Sequence, residues 1–222
     1  MRAASGRSRR PAVHRGVELR CGTRFEDEAR AAGHAVVAGV DEVGRGALCG
    51  PVVAAAVVLG DGFDVLGLDD SKRLTRRQRE ALEARIRAHA RGVGVGLAEP
   101  DEIDRVNILK ATLLAMRRAV LALPEKPDLL LVDALTVPGL DVEQRAIVKG
   151  DALSVSIAAA SIVAKVARDA LMRELDGRHP GYGLARNMGY GSEGHLEALR
   201  RLGPTSVHRR SFNGTTQGWL FS

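Results

Sequence analysis

Short apolar segments and amphipathic stretches alternate along the chain from Phe25 onward. The segments HAVVAGVDE and PVVAAAVVL are both of strand length, and a glycine-rich turn separates them. Apolar runs of this length on either side of a turn predict two strands, and the short connection favours an antiparallel pair. Residues 75–90 then place Leu82, Ile86 and Ala90 at helical spacing with a cationic outer face, which predicts a surface helix.

The second half of the chain continues this alternation. GVGVGLA predicts a thin strand, and residues 99–123 predict one helix that begins with proline and acidic residues. The continuous apolar run PDLLLVDA is typical of a parallel strand covered on both faces. A possible short strand follows, then a long helix with an alanine-rich face over residues 154–175 and a basic helix over residues 192–203. Strands followed by alternating helices and strands indicate an α/β fold.

Length and composition limit the class of protein. The chain has 222 residues, of which 45% are hydrophobic, so one sizeable core is expected. No apolar run approaches a membrane span or a secretory signal, and we therefore expect a cytoplasmic protein without a membrane partner. Cys21 and Cys49 have no metal-type spacing and are interpreted as ordinary thiols. A monomer is the simplest expectation.

The charge distribution divides the chain further. A formal charge of +6 favours a polyanionic partner such as nucleic acid, although charge alone does not require one. Residues 1–24 are rich in Arg, Ser and Gly and predict a basic disordered arm, either a solvated tail or a nucleic-acid contact. Residues 25–212 then form the predicted catalytic domain, and residues 213–222 form a C-terminal tail.

Acidic residues follow the ends of three predicted elements. Asp41 and Glu42 end the first strand, Asp133 ends the run LLLVD, and Asp151 precedes the alanine-rich helix. Active sites of open α/β sheets assemble at the carboxyl ends of strands. Neighbouring strand residues point to opposite faces, so Asp41 and Glu42 are expected to share a site only where the strand ends or bulges.

Carboxylates gathered in this way repel one another unless cations neutralise them. Oxygen ligands without His or Cys suit Mg²⁺ or Mn²⁺, and two such ions about 4 Å apart serve phosphodiester hydrolysis. A DNA-cutting nuclease or recombinase would use the same arrangement equally well. A binder of nucleic acid that uses charge alone is a further alternative, but it would leave the acids unexplained.

The order of motifs resembles one family, prokaryotic ribonuclease HII. The motifs are DEVGRG, DDSKRLT, LLVDA, KGDALSVSIAAASIVAKVARD and GYGSEGHLEALRRLGPTSVHRRSF, and the resemblance runs from about residue 36 to 212. It implies a ribonuclease H-like mixed sheet flanked by helices, with a helical C-terminal extension. It also implies metal-dependent hydrolysis on the 5′ side of ribonucleotides, in RNA:DNA hybrids and in DNA with single embedded ribonucleotides, leaving a 3′-hydroxyl and a 5′-phosphate.

The resemblance assigns roles to individual positions. It implies that Asp41, Glu42, Asp133 and Asp151 bind the metal ions and are catalytic. Where the family often has glycine after the third acid, this chain has Ala134. That small difference leaves the implied metal ligands in place.

The same resemblance implies contacts to substrate. The backbone of Gly44, Arg45 and Gly46 is expected to approach a ribose 2′-hydroxyl, since only glycine lets a main chain come so close. Lys72 is implied to bind phosphate. Tyr190 is implied to stack on the sugar after the junction, with Tyr182 as the weaker match. The Gly-Arg-Gly sequence argues against an enzyme that cuts only DNA.

The tail carries one further pattern. Gln217, Leu220 and Phe221 have the spacing of short peptides that dock on bacterial sliding clamps. A terminal Trp-Leu-Phe can instead fold back onto its own domain. The tail is therefore a hypothesis for partner binding, with packing as the alternative.

Overall fold

A five-stranded mixed sheet lies at the centre of the protein. The structure is a computed structural model that describes residues 21–60, 62–65, 67–68 and 71–215. The strands are β1 (Val37–Val43), β2 (Val52–Val58), β3 (Gly92–Ala98), β4 (Leu129–Asp133) and β5 (Glu143–Ile147). They lie in the order β3-β2-β1-β4-β5, with β1 antiparallel to β2 and parallel to β4. The predicted antiparallel pair, the mixed sheet and the α/β class are confirmed.

Helices cover both faces of the sheet and form the C-terminal extension. They are α1 (Arg24–Ala31), α2 (Arg76–His89), α3 (Pro100–Val106), α4 (Ile108–Leu121), α5 (Val155–Arg178), α6 (Leu184–Asn187) and α7 (Glu193–Leu202). The single helix predicted over residues 99–123 is wrong. Asn107 takes a φ of 72°, which ends α3, and its side chain accepts a hydrogen bond from the Lys110 amide that starts α4.

Small residues let the helices approach the sheet closely. A Cβ atom added to Gly39 of β1 would lie 2.1 Å from the backbone carbon of Ser156 in α5. On the opposite face, a Cβ on Gly96 of β3 would lie 2.3 Å from the carbonyl oxygen of Ala115 in α4. The alanine-rich face of α5 therefore packs directly on the sheet, as its composition predicted.

The two ends of the described chain both join the fold. Cys21 is 2% exposed, and Gly22 forms a parallel bridge with Ser154. Cys21 and Gly22 of the predicted arm thus pack on the domain, while residues 1–20 lie outside the described residues. At the other end, α7 buries Leu199 in a cluster with Leu48 and other apolar side chains. Gln217, Leu220 and Phe221 lie outside the described residues.

None of the helices in the described ranges is long and apolar enough to cross a membrane.

Candidate active site

Asp41 and Glu42 lie in the part of β1 that is no longer paired with β4. The pairing of β1 with β4 ends at Val40 opposite Val132, whereas its pairing with β2 continues to Val43. The strand does not bulge at the two acids, so the sheet instead opens on the β4 side. Asp41 is 4% exposed, and its Oδ1 accepts a hydrogen bond of 2.8 Å from the Glu42 amide.

A second pair of acids comes from β4 and from the turn that follows β5. Asp133 is the last residue of β4, and its Oδ1 accepts a 2.7 Å hydrogen bond from the Gly150 amide. Asp151, which directly follows Gly150 in the chain, is 7% exposed and lies in a short 3-10 turn. The chain leaves β4 through Ala134 at a φ of 53°, a conformation that glycine adopts at less cost. The Gly150 contact therefore holds the turn that carries Asp151 against the end of β4.

Burial and neighbouring carboxylates raise the pKa values of Asp41 and Glu42. Burial raises the pKa of Asp41 well above its usual value, and the charges of Glu42 and Asp133 raise it further, while a hydrogen bond from Ser161 acts in the opposite direction. Burial also raises the pKa of Glu42, with a smaller contribution from Asp133 and an opposing one from Arg45. The three carboxylates are therefore close enough to repel one another, and a bound cation would relieve that repulsion.

One buried carboxylate oxygen at this site lacks a hydrogen-bond donor, which fits a metal ion. Glu42 Oε2 is buried without a hydrogen-bond partner, although Oε1 lies 3.1 Å from Arg45 Nη1. A buried carboxylate oxygen without a donor is costly, and a cation would satisfy it. The donor set is entirely carboxylate, which suits Mg²⁺ or Mn²⁺. Across the described residues, no three acidic, His or Cys side chains already surround one point closely enough to hold an ion.

Basic side chains take up part of the negative charge. Lys72 Nζ donates to Asp151 Oδ2 over 3.0 Å, and the Lys72 side chain is 76% exposed. Its neighbour Ser71 is buried, with its hydroxyl 2.9 Å from that of Ser161 in α5. The structure thus places the Lys72 ammonium beside the carboxylate of Asp151.

The glycine loop, residues 44–46, rests on two buried arginines. Gly44 has a φ of 90°, and a Cβ added there would lie 2.1 Å from Nε of Arg168. Arg209 Nη1 donates 2.9 Å to the carbonyl oxygen of Arg45. At Gly46 an added Cβ would meet nothing within 4 Å. Gly44 is therefore required by the protein interior, whereas Gly46 faces open space that a ligand could enter.

Sequence reasoning did not single out Arg168 and Arg209. Both are 0% exposed, and each donates hydrogen bonds to loop carbonyls, Arg168 to Pro51 and Cys49 and Arg209 to Gly50. Burial lowers the pKa of both guanidinium groups, to about 9 for Arg209. For Arg168 the available signal was an arginine within the alanine-rich helix, which does not reveal a partner, and Arg209 lies outside the helices in a loop segment.

The two tyrosines differ in exposure. Tyr182 is 6% exposed, and its hydroxyl donates 2.5 Å to the carbonyl oxygen of Gly203, so it belongs to the core of the extension. Tyr190 is 38% exposed, with its ring centroid 5.5 Å from Cζ of Arg168. Since Arg168 also contacts Gly44, the accessible tyrosine stands next to the glycine loop.

Comparison with known proteins gives the same assignment along most of the chain. Residues 38–215 match the family described as Ribonuclease HII. A ribonuclease HII from Geobacter sulfurreducens is 52% identical over 193 residues, which cover 87% of this chain and 89% of the relative. Such identity over nearly the full length of both chains shows a shared family.

Solved structures share the fold. The ribonuclease H2 of Pyrococcus horikoshii OT3 superposes with a TM-score of 0.68 at 29% identity, over 82% of this chain and 96% of that one. The ribonuclease HII in a PCNA:RNase HII complex from Archaeoglobus fulgidus gives 0.66 at 28% identity, over 78% and 92% of the two chains. The chain belongs to the ribonuclease HII family and is a metal-dependent endoribonuclease that cleaves RNA in RNA:DNA hybrids.

Proposed function

We propose that Asp41, Glu42, Asp133 and Asp151 hold two divalent ions, Mg²⁺ or Mn²⁺, at which a phosphodiester is hydrolysed on the 5′ side of a ribonucleotide. The products carry a 3′-hydroxyl and a 5′-phosphate. The observation that carries this proposal is the mutual electrostatic effect of Asp41, Glu42 and Asp133, with the Asp151 turn joined to Asp133 through Gly150. When bound, the ions supply an activated water and stabilise the leaving oxygen.

The residues of the chain prepare this chemistry. The amide donors at Glu42 and Gly150 each hold one oxygen of Asp41 and of Asp133 and so orient the two carboxylates for their proposed role as ligands. Burial around Asp41 keeps water away from the charges and strengthens their hold on a cation. In the absence of substrate and ions, the positive charge of Lys72 pairs with the carboxylate of Asp151. Once metal ions bind Asp151, the Lys72 ammonium would contact a substrate phosphate instead.

The glycine loop supplies the recognition of ribose. Gly46 leaves the space in which a sugar can meet the backbone, and Arg168 and Arg209 hold the loop from beneath. Tyr190 is accessible beside the loop and stacks on the following sugar. A contact to a 2′-hydroxyl is what distinguishes RNA from DNA at such a site. Substrates are therefore both RNA:DNA hybrids and DNA with single embedded ribonucleotides.

A cleavage map tests the proposal. The substrate is an end-labelled DNA duplex with one ribonucleotide, incubated with Mg²⁺, with Mn²⁺ and with chelator. We expect one cut on the 5′ side of the ribonucleotide with either ion and none with chelator. The all-DNA duplex is the control, since a DNA-cutting nuclease would cleave both. Cleavage on the 3′ side, or in the presence of chelator, would contradict the proposal.

A second proposed contact is with a sliding clamp, through Gln217, Leu220 and Phe221 of the tail. The Archaeoglobus fulgidus relative was solved as a complex with PCNA, which supports the hypothesis without identifying the residues used here. A terminal peptide that buries two or three apolar anchors in a pocket binds weakly on its own. Such a contact would concentrate the nuclease on newly made DNA.

A further inference from the structure

Two buried histidines lie next to the segment that carries Tyr190. His195 belongs to α7, His208 follows that helix, and the two side chains are 0% and 1% exposed. Their Nε2 atoms are 3.2 Å apart. Neither residue belongs to the proposed metal site or to the glycine loop. A hydrogen-bonded histidine pair in the interior needs a definite arrangement of protons, because each neutral ring carries one.

The backbone atoms at the two ends of the pair determine that arrangement. His195 Nδ1 lies 2.9 Å from the carbonyl oxygen of Tyr190. A carbonyl only accepts, so His195 Nδ1 carries the proton. His208 Nδ1 lies 3.0 Å from the amide nitrogen of Thr205, which only donates. His208 Nδ1 is therefore unprotonated and accepts.

One proton order satisfies all these contacts. With His208 Nδ1 unprotonated, its proton sits on Nε2 and is donated to the bare Nε2 of His195. The hydrogen bonds then run in one direction, from the Thr205 amide through His208 and His195 to the Tyr190 carbonyl. The Thr205 hydroxyl, 2.9 Å from the same His208 nitrogen, also donates to it.

An additional proton would break this order. It would place two N–H groups face to face, either between the rings or between His208 and the Thr205 amide. Burial lowers the pKa of both histidines, and for His208 the added effects of His195 and His179 bring the pKa to about 4. The ring of Tyr182 also packs on His208, at a centroid distance of 4.9 Å. The neutral, ordered pair is thus the state of the protein near neutral pH.

We propose that Thr205, His208 and His195 form a directional hydrogen-bond relay that fixes the backbone of Tyr190 and so positions its ring at the substrate. The inference rests on the substrate role proposed for Tyr190. Tyr190 is 38% exposed, so few neighbouring side chains restrain it. The position of its Cα atom, and therefore of its ring, then depends on the hydrogen bonds of its backbone. His195 and His208 are positioning residues, since neither touches the reacting atoms.

Nitrogen NMR of the imidazole rings in the full chain tests the relay without reference to activity. At pH 7.5 we expect His195 as the Nδ1–H tautomer, the less common form of neutral histidine, and His208 as the Nε2–H tautomer. The exposed His89 is the control, because solvent competes for its contact with the Arg85 carbonyl oxygen and its tautomers should exchange. A His195 proton on Nε2, or a charged ring at either position, would overturn the relay.

Kinetics then test whether the relay acts through Tyr190. His195→Leu removes the side-chain donor to the Tyr190 carbonyl oxygen and leaves only the Ser192 amide bonded to it among the contacts described, so it should lower kcat/KM on a single-ribonucleotide duplex about tenfold. His195→Asn places an amide N–H near the position of Nδ1 and should recover part of that loss. In a Tyr190→Ala background, the His195→Leu substitution should lower kcat/KM by less than about twofold.

Val120→Ala is the matched control, because it weakens a core cluster that contains neither histidine nor Tyr190. Its effect should be the same in the wild type and in the Tyr190→Ala background. If His195→Leu costs the same factor in both backgrounds, or His195→Asn is no better than His195→Leu, the relay does not act on Tyr190. If both tautomers are as expected and Tyr190→Ala cleaves like the wild type, the substrate role of Tyr190 fails while the relay stands.

Discussion

Arg209 Nη1 donates a 2.9 Å hydrogen bond to the carbonyl oxygen of Arg45, which joins the C-terminal segment to the centre of the glycine loop. The same guanidinium donates from Nε to the carbonyl oxygen of Gly50, on the far side of the loop. A buried cation is costly unless hydrogen bonds compensate it, so the Arg209 guanidinium favours the loop conformation in which both carbonyl oxygens accept from it. The C-terminal extension is therefore a structural part of the proposed recognition site.

Asp133→Asn should remove most of the activity and leave the fold intact. The amide has nearly the same shape and can still accept from Gly150, but it withdraws a negative charge from the proposed ions. We expect a loss on the order of 100-fold or more in cleavage of an RNA:DNA hybrid. Asp141→Asn, at an exposed position, is the control and should retain full activity. Folded Asp133→Asn protein with nearly normal cleavage would contradict the assignment.

Gly46→Ala is the cleaner test of ribose recognition. Its added methyl points into open space, so it should reduce cleavage at a single ribonucleotide about tenfold or more while general duplex binding changes little. Gly44→Ala would instead meet Arg168 at an unfavourable φ and should cost at least about 1 kcal/mol of stability. Measurements of cleavage, duplex affinity and unfolding separate the two effects. Equal losses of cleavage and affinity in Gly46→Ala would argue against a sugar-reading loop.

Asp41→Asn should stabilise the metal-free protein while abolishing its activity. Burial and the neighbouring carboxylates disfavour the charge of Asp41, and the neutral amide removes that penalty. Each kcal/mol gained would raise Tm by roughly 2–4 °C. Mg²⁺ or Mn²⁺ should raise Tm of the wild type more than that of the variant, because binding stabilises only a protein that holds the ions. A lower Tm for the metal-free variant would show that the charge is favourable at this site.

The neutral histidine pair makes the protein less stable in acid. The pKa of His208 falls from 6.5 in the unfolded chain to about 4 in the fold, so the unfolded state binds more protons between these values. The contribution of neutral His208 to the free energy of unfolding is complete above pH 6.5. It is lost as the pH falls towards 4, by at most about 1.4 kcal/mol per pH unit.

Urea unfolding at a series of pH values measures this contribution. His208→Gln should flatten the stability profile between pH 6.5 and 4, and His89→Gln, at an exposed helix end, is the matched control substitution. An identical slope for wild type and His208→Gln would mean that another group titrates there.

The tail is tested by a peptide of residues 213–222 titrated against a purified bacterial sliding clamp. We expect saturable binding of micromolar strength that disappears when Leu220 and Phe221 are both replaced by Ala. A peptide with Gln217 retained and the order of the other residues scrambled is the control. No saturable binding, or binding that survives the double substitution, would leave the tail without this partner.

Local patterns in the sequence determined most of the elements of the fold. The apolar runs of β1 and β2 and the helical spacing of α2 are properties of neighbouring residues, so periodicity is sufficient to find them. At Thr75 the side chain accepts a hydrogen bond from the Gln78 amide, and the Thr75 amide donates to the Gln78 side chain, so α2 begins within four residues of sequence. The order of acids and glycines was likewise enough to predict the family. The break at Asn107 was missed because a left-handed residue interrupts an otherwise continuous helical pattern.

Tertiary structure alone decided how the proposed site is supported. Gly44 is required by Arg168, Lys72 meets Asp151, and His195 pairs with His208. Arg168 and Gly44 are far apart along the chain, and no local periodicity records such a contact. These contacts depend on where α5 and the C-terminal extension pack on the sheet. The sequence determined which chemical groups are present, and packing determined which of them meet, because side-chain contacts follow the folded path of the chain and not its order.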